Sequence, residues 1–554
     1  MIVNIDSTSS RDYEVCVVGA GPAGIIFSLE YSKLNPGHTI LLIECGSKGT
    51  TINRLDDSIK NANPQNHHDP YDCTNKGLGG STISWGGRCV MYDEIDFMPH
   101  GDVDEDCTWD LDFYKDTLKW LDCSSQYFKC GNKGLFDLNK IERLTPRSIA
   151  ENFKSDVLTD THLERWSLPT RFGKQYRKEI ENSQSIHLLT GYYADLLNPR
   201  EDKQGIDSLT IKPLNSDAIY SIRAKQFIVT AGGQESTRLL LKSQAIFSSL
   251  PKLPAALGKY YQGHTSGKIA YIKFYGDPNK TDYEFIRDKE GIYLRRRFQF
   301  TTEALIKNKL LNIAFWLDNP PYHDPSHGNG TLSFIYLMIT APMLRKKLLP
   351  PAIAHSMSGG KSITRFPHIL NVLKGLPGSL TIPASIFFRR YLCKRSLPGV
   401  FLKSANNRYA LHYHSEQIPL KTNQMKLSDD GEQLQIHYKY SDKDIDSVIL
   451  AHRLLDKELR HRNCGELEFI YPEKDLPEAI HRTSIDGLHQ VGTTRIANSP
   501  DAGVVDIHLR VFGNDNLYVC SSSVFPTSGQ ANPTFYLGAC AARLAHHLNQ
   551  ALKR

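Results

Sequence analysis

The sequence predicts an α/β protein: a parallel-sheet core built around a nucleotide-type turn, joined to a second lobe of different texture. Three observations carry this. Tyr13 to Gly46 reads as strand, glycine-rich turn, helix and strand. Phe227 to Leu241 repeats a buried strand, two glycines and a helix start. From about Gly258 to Ser415 glycine turns thin out and aromatics increase, and from Pro325 onward there is no Asp or Glu.

The first stretch is the most specific. Val15, Val17 and Val18 form an apolar run of the kind that is buried on both faces of a parallel sheet. Gly19, Gly21 and Gly24 follow with the spacing G-x-G-x-x-G, and a helix runs from about Ala23 to Leu34. Asn35-Pro36-Gly37 ends it, and Thr39 to Ile43 is a second strand closing on Glu44. In a βαβ dinucleotide unit Gly19 makes the tight turn, Gly21 lets backbone N–H groups approach a pyrophosphate at the helix N-terminus, and Gly24 lets helix and strand pack closely. Glu44 stands where a carboxylate takes the ribose hydroxyls, which disfavours a 2′-phosphate and so NADP. The turn leaves FAD and NAD both open.

Downstream, Gly77 to Gly87 (GLGGSTISWGG) holds five glycines in 11 positions, as expected of backbone held against a flat or charged ligand. Asp110 to Leu121 and Ile141 to Asn152 read as helices; Ser185 to Gly191, Leu209 to Pro213 and Phe227 to Thr230 read as strands. The second lobe is expected to be an antiparallel sheet with helices covering one face, the chain returning through a strand at Tyr409 to His414. Ser441 to Arg460 is an amphipathic helix with Ile445, Val448, Ile449 and Leu454 on one side. Asn516 to Cys520 is a strand, and Phe535 to Leu548 a closing helix. The expected division is 1–257 for the first part of the dinucleotide domain, 258–415 for the second lobe, and 416–554 for a return carrying the C-terminal functional segment.

At 554 residues, 40% hydrophobic and 23% charged, the chain has the composition of a globular protein large enough for two lobes. Its N-terminus lacks a cationic region followed by an apolar run, and no apolar stretch reaches the length of a membrane span. Its 11 cysteines show no C-x-x-C and no metal-ligand spacing, so free thiols in a reducing, cytoplasmic setting are expected and no metal site. The net charge of +6 is unevenly placed: Pro325 to Ser415 carries 12 Lys and Arg and no acid, leaving the rest of the chain net negative. Arg345, Lys346 and Lys347 follow the apolar Leu332 to Leu344, and Arg389, Arg390, Lys394 and Arg395 follow the apolar Ile382 to Phe388. One reading is peripheral contact with an anionic membrane at its inner face; the other is core segments with a solvated cationic face. No nucleic-acid motif accompanies the cations.

Five blocks taken together resemble the glucose–methanol–choline (GMC) family of FAD-dependent oxidoreductases: the N-terminal βαβ unit, GGSTISWGG, AGGQESTRLLL, HQVGTTR, and NLYVCSSSVFPTSGQANPT with its closing helix. The resemblance implies the family fold, a Rossmann-like FAD domain plus a substrate lobe. It implies cofactor contacts from Gly19, Gly21, Gly24, Glu44, Gly79, Gly80, Ser81, Thr82, Asp506, Ser523 and Pro526. His489 matches the family's catalytic histidine and Asn532 its second active-site position, which is His or Asn. His489 would take the hydroxyl proton as hydride leaves carbon for flavin N5, with Asn532 holding the substrate oxygen. Trp85 stands where many members have Asn. Some relatives attach FAD through a histidine in this loop; none occurs between Gly77 and Val90, so FAD is expected to be non-covalent. His264, in Gln262-Gly263-His264, resembles a family position and reads as structural. The loops look most like bacterial sugar- or glycoside-type members, which implies a carbohydrate alcohol as substrate. A flavin-containing lyase or non-redox relative is the alternative. Oxygen, a quinone or a redox protein remain open as electron acceptor.

Overall fold

The parallel sheet forms where the apolar runs are continuous. In a computed structural model, which describes residues 1–9, 11–46, 59–101, 103, 111–142, 144–168, 170–340 and 365–553, the strand Asp12–Val18 is central. It pairs in parallel with Ile40–Glu44 on one side and Tyr220–Val229 on the other. Ile186–Thr190 extends the sheet beyond Ile40–Glu44, and Leu517–Val519 adds to Tyr220–Val229, again in parallel. Ile206–Pro213 and Tyr192–Pro199 complete it as antiparallel strands. Every residue of Ile40–Glu44 is buried, as a strand covered on both faces requires. The helices Pro22–Leu34 and Thr534–Ala551 pack against each other beside this sheet. The second carries Gly538 where its backbone comes close: a Cβ there would press into Phe128, Ser124 and Ile26.

The second lobe is the expected antiparallel sheet. Its six strands lie in the order Gly465–Phe469, His264–Phe274, Arg408–Glu416, Ile313–Asp318, Phe298–Phe300 and Leu158–Thr159. Asp442–His461 and Leu476–Thr483 pack on it, burying Ile445, Val448, Leu455 and Ile480 against strand residues such as Ile272 and Leu411. The sheet therefore recruits 158–159 and 465–469 from outside 258–415, and its covering helices lie beyond residue 415. The sequence division cut through this lobe because sheet edges are completed by strands remote in the chain.

Two local expectations differ from the structure. The span from Ile141 to Asn152 holds no helix among its described residues, only a short turn at Leu138–Lys140 before it. Pro146 disfavours the helical region for the residue before it, and Asn152 takes a positive φ of 64°. The helix expected from Asp110 to Leu121 is instead two, Leu111–Leu118 and Leu121–Phe128.

Where the two lobes meet, Glu94–Phe97 and Arg408–Glu416 bring together a fully buried group. His100 Nε2 lies 2.6 Å from Glu416 Oε2, and Asp96 accepts from Asn312 Nδ2 at 2.8 Å. Burial by itself would lower the His100 imidazolium, but the Glu416 carboxylate outweighs it and pushes His100 up to about 9. A histidine raised in the fold stabilises it fully below its unfolded value near ~6.5, and that stability is lost as pH rises through about 9. Wild-type stability is expected to fall by roughly 3 kcal/mol across this window. His100→Gln is expected to flatten the slope, as measured by urea unfolding at stepped pH.

Candidate active site

A cavity of about 660 Å³ opens at the carboxyl ends of the parallel strands, bordered by Val18, Ile43, Thr230 and Ser521. Three helix N-termini face it: Pro22 and Ala23 begin one, Gly232 and Gly233 a second, Pro533 and Thr534 a third. Each turns the positive end of a helix dipole toward it, so the cavity suits a ligand carrying negative charge. Open space surrounds the position a Cβ would take at Gly21, on the cavity wall. Gly24 is different. A Cβ there would drive into the carbonyl oxygen of Gly19 and the Thr230 hydroxyl, so only glycine lets this helix meet its strand.

Six of the residues expected at the cofactor line the cavity: Gly19, Gly21, Glu44, Gly80, Ser81 and Thr82. Glu44 Oε2 accepts from the Ala20 N–H at 3.0 Å and Oε1 from the Gly46 N–H at 2.9 Å. Burial raises the Glu44 carboxyl above its ordinary range, with those N–H groups opposing the shift. Gly79 stands behind the wall, at φ 103° and packed on Gly173, and donates its N–H to Ala20 O at 2.7 Å.

Asp506, Ser523 and Pro526 are placed off the cavity wall. Asp506 Oδ1 caps its own turn, accepting the N–H groups of His508 at 2.8 Å and Arg510 at 2.9 Å. The Ser523 hydroxyl is buried against Thr494 Oγ1 at 2.6 Å, and the Pro526 carbonyl accepts from Gln262 Nε2 at 2.8 Å. From the same segment Ser521 and Ser522 face the cavity instead. Their position just past the strand Leu517–Val519 was the available signal, because ligands in open α/β sheets sit beyond the carboxyl ends of the strands. Trp85 also lines the cavity, its indole Nε1 donating to Thr170 O at 2.9 Å.

His489 and Asn532 meet at one side of this cavity, between wall residues: Leu488 and Gln490 flank His489, and Pro533 follows Asn532. Asn532 Nδ2 donates to His489 Nε2 at 2.6 Å, which identifies Nε2 as the nitrogen bearing the lone pair. The opposite nitrogen, Nδ1, lies 3.3 Å from Asp486 Oδ2. His264 Nδ1 reaches the same oxygen at 3.2 Å, and its backbone N–H does so at 2.8 Å. The two Nδ1 atoms stand 3.1 Å apart because both converge on one acceptor. Asp486 Oδ1 is held by the N–H groups of Gly487 and Leu488 at 2.8 and 2.9 Å.

Electrostatics sort the three clustered histidines. Burial lowers His264, and the His489 charge adds to that; burial lowers His414 further, with His264 beside it. Both are thus disfavoured as cations. Burial would raise the Asp486 carboxyl, but the neighbouring His489 and His264 hold it well below the usual carboxylate range. The arrangement is an ionised carboxylate behind one histidine whose free nitrogen faces a side-chain amide.

The HQVGTTR block holds this histidine by locking onto the helix Gly232–Lys242. Gln490 Oε1 accepts from Gln234 N at 3.1 Å, and Thr493 Oγ1 bonds Thr237 Oγ1 at 2.7 Å. The Asn532 segment is pinned by Gln530, whose carbonyl accepts from His414 Nδ1 at 2.8 Å and whose Nε2 donates to Asp93 Oδ2 at 2.9 Å. Sequence reasoning missed Asp486 altogether and gave His264 no part in this cluster. The Asp-Gly turn three residues before His489 was the one local sign of Asp486.

Residues 419–541 match the family model described as GMC oxidoreductase. The whole fold is similar to solved structures. One is a fungal aryl-alcohol oxidase, at TM-score 0.52 and 14% identity, covering 98% of this chain and 100% of that one. A second is pyridoxine 4-oxidase from Mesorbium loti, at TM-score 0.53 and 15% identity, covering 97% and 99%. A third is a formate oxidase from Aspergillus oryzae, a variant studied for its effect on FAD modification, at TM-score 0.52 and 15% identity, covering 99% of both chains. At these identities the likeness establishes the fold.

Proposed function

We propose that this chain, which belongs to the GMC oxidoreductases, oxidises the CH–OH group of a carbohydrate alcohol, a sugar or glycoside, with FAD held non-covalently. The single observation that carries the chemistry is the contact between His489 Nε2 and Asn532 Nδ2 beside the cavity, with Asp486 behind the ring. The cavity suits FAD by its donor set. Helix N-termini and the open side of Gly21 would receive the pyrophosphate, and Glu44 the ribose hydroxyls. Ser81, Thr82, Ser521 and Thr534 would border the remainder.

When bound, FAD supplies the acceptor for the hydride that leaves the substrate carbon. The protein's own part is proton transfer and positioning. His489 Nε2 takes the proton of the substrate hydroxyl, while the Asn532 amide holds the oxygen in line. Asp486 accepts from Nδ1, keeps the ring in the tautomer that presents a lone pair at Nε2, and faces the charge that forms when the proton arrives. His264 shares that carboxylate and fixes its position.

Asp486→Asn tests the orienting role. The amide would turn its oxygen to the Gly487 and Leu488 N–H groups and its NH₂ toward His489 Nδ1. The ring would then carry its proton at Nε2, where it could not act as base. Flavin reduction is expected to slow by roughly 10²-fold, with FAD content unchanged. Full activity in this variant would remove Asp486 from the mechanism.

The reading as a whole is tested by an anaerobic visible spectrum while sugars, glycosides and simple alcohols are added in turn. Bleaching of the flavin band by sugars or glycosides is the expected result, and re-admitting air then reports whether oxygen serves as acceptor. Bleaching by simple alcohols alone would overturn the carbohydrate assignment, and a flavin that no alcohol bleaches would overturn the redox reading.

A further inference from the structure

Part of the acid-free section forms an exposed apolar helical pair. Two helices joined by a short turn, Phe366–Lys374 and Gly378–Tyr391, both pack on Gly330–Thr340. The outer helices bury little of themselves. Nearly half of the exposed large apolar side chains among the described residues fall between Phe366 and Leu392. Phe366 is 71% exposed, Leu373 58%, Leu380 50%, Phe388 56% and Leu392 65%. Such a concentration is unusual on a protein surface and marks a place where something is to be covered.

Its electrostatics say what. Arg365, Lys374, Arg389, Arg390 and Lys394 stand exposed among or beside these side chains. No Asp or Glu occurs anywhere from Pro325 to Ser415 to neutralise them. Among the described residues none of these five cations is in a salt bridge; Arg389 donates to the Tyr293 hydroxyl and Arg390 to the Pro398 carbonyl. The second basic group, Arg345, Lys346 and Lys347, lies outside the described residues. Ile386 anchors the pair on the layer beneath, against Trp166, Tyr293 and Leu397. No helix of the described structure is long and apolar enough to cross a membrane. Exposed apolar side chains rimmed by unneutralised cations, on helices too short to span, match the chemistry of an anionic lipid interface.

We propose that the helical pair of 366–392 docks this enzyme on the surface of an anionic lipid bilayer, with its aromatic and leucine side chains in the headgroup boundary and its cations on lipid phosphates. A second copy of the chain would cover the apolar side chains but would set these cations against an identical cationic face. This inference stands apart from the redox reading, because it uses none of the cavity residues.

The test floats full-length holoprotein with vesicles of phosphatidylcholine alone and of phosphatidylcholine mixed with phosphatidylglycerol. The protein is expected to float with the mixed vesicles at low salt and to release at high salt, when the charges are screened. Phe388→Ser with Leu380→Ser, and separately Arg389→Glu with Arg390→Glu, are each expected to reduce the bound fraction at least tenfold. The bound flavin spectrum should be unchanged in both, which shows that the rest of the fold is intact. Failure to float, or equal flotation with neutral vesicles, would overturn the proposal. So would a dimer in lipid-free solution that the Phe388→Ser, Leu380→Ser variant splits, since the face would then belong to a second copy.

Discussion

His489→Ala is expected to purify with its FAD and to lose between about 10² and 10⁴ of its rate of flavin reduction by substrate. The prediction rests on a separation visible in the site. His489 is not a wall residue of the cofactor cavity, so its removal leaves the helix N-termini, Gly21 and Glu44 in place. What disappears is the only one of three clustered histidines that meets both a carboxylate and Asn532. His264 cannot substitute: it is fully buried, and its Nδ1 is already committed to Asp486. His414 cannot either, because its Nδ1 donates to Gln530 O and burial keeps the ring neutral. Stopped-flow reduction in the absence of oxygen isolates the step, since it excludes the acceptor half of the reaction. An unchanged rate would remove His489 as the base.

Gly24→Ala is expected to cost about 3 kcal/mol of stability and to yield protein that does not retain FAD. The added methyl would meet backbone, the Gly19 carbonyl, rather than a side chain that could swing aside. It would also meet the Thr230 hydroxyl, which donates to the carbonyls of Val18 at 2.9 Å and Gly19 at 2.7 Å and ties the central strand to its neighbour. Relief requires the helix Pro22–Leu34 to move away from the strand, and its N-terminus would leave the cavity wall. Gly21→Ala is the matched control. Space is open there, so the fold is expected to survive while FAD affinity falls. Thermal melting and the flavin-to-protein absorbance ratio distinguish the two. A Gly24→Ala protein that is yellow and melts like the wild type would show that close packing is not what this glycine provides.

Much of this architecture is legible in local sequence, and its limits follow from distance along the chain. The turn at Gly19 to Gly24 is readable because strand, glycines, helix and Glu44 occupy one short stretch whose parts contact one another directly. The closing helix and the amphipathic helix Asp442–His461 are readable for the same reason, since a helix reports its buried face every three or four residues. The helix expected from Ile141 to Asn152 fails where apolar spacing outweighed Pro146. In the C-terminal segment, Asp506 and Ser523 were expected at the cofactor from the family resemblance; in the structure one caps a turn and the other bonds Thr494, both off the cavity wall. Ser521 and Ser522 face the cavity only because the strand before them ends where it does.

By itself the sequence determined the nucleotide-type turn, the parallel strands beside it, and the acid-free basic section. Each is a property of residue kinds at short spacing, where local sterics and burial act alone. Only the tertiary structure decided which groups share the site. His264 and His489 are 225 residues apart and meet on Asp486, while Asn532 arrives from 43 residues beyond His489. It also decided that 366–391 of the acid-free section form helices with exposed apolar side chains, while Arg408–Glu416 is a strand inside the sheet of the second lobe. Those outcomes depend on how the sheet of one lobe seats against the other, and a buried carboxylate between two histidines exists only once both lobes have closed over it.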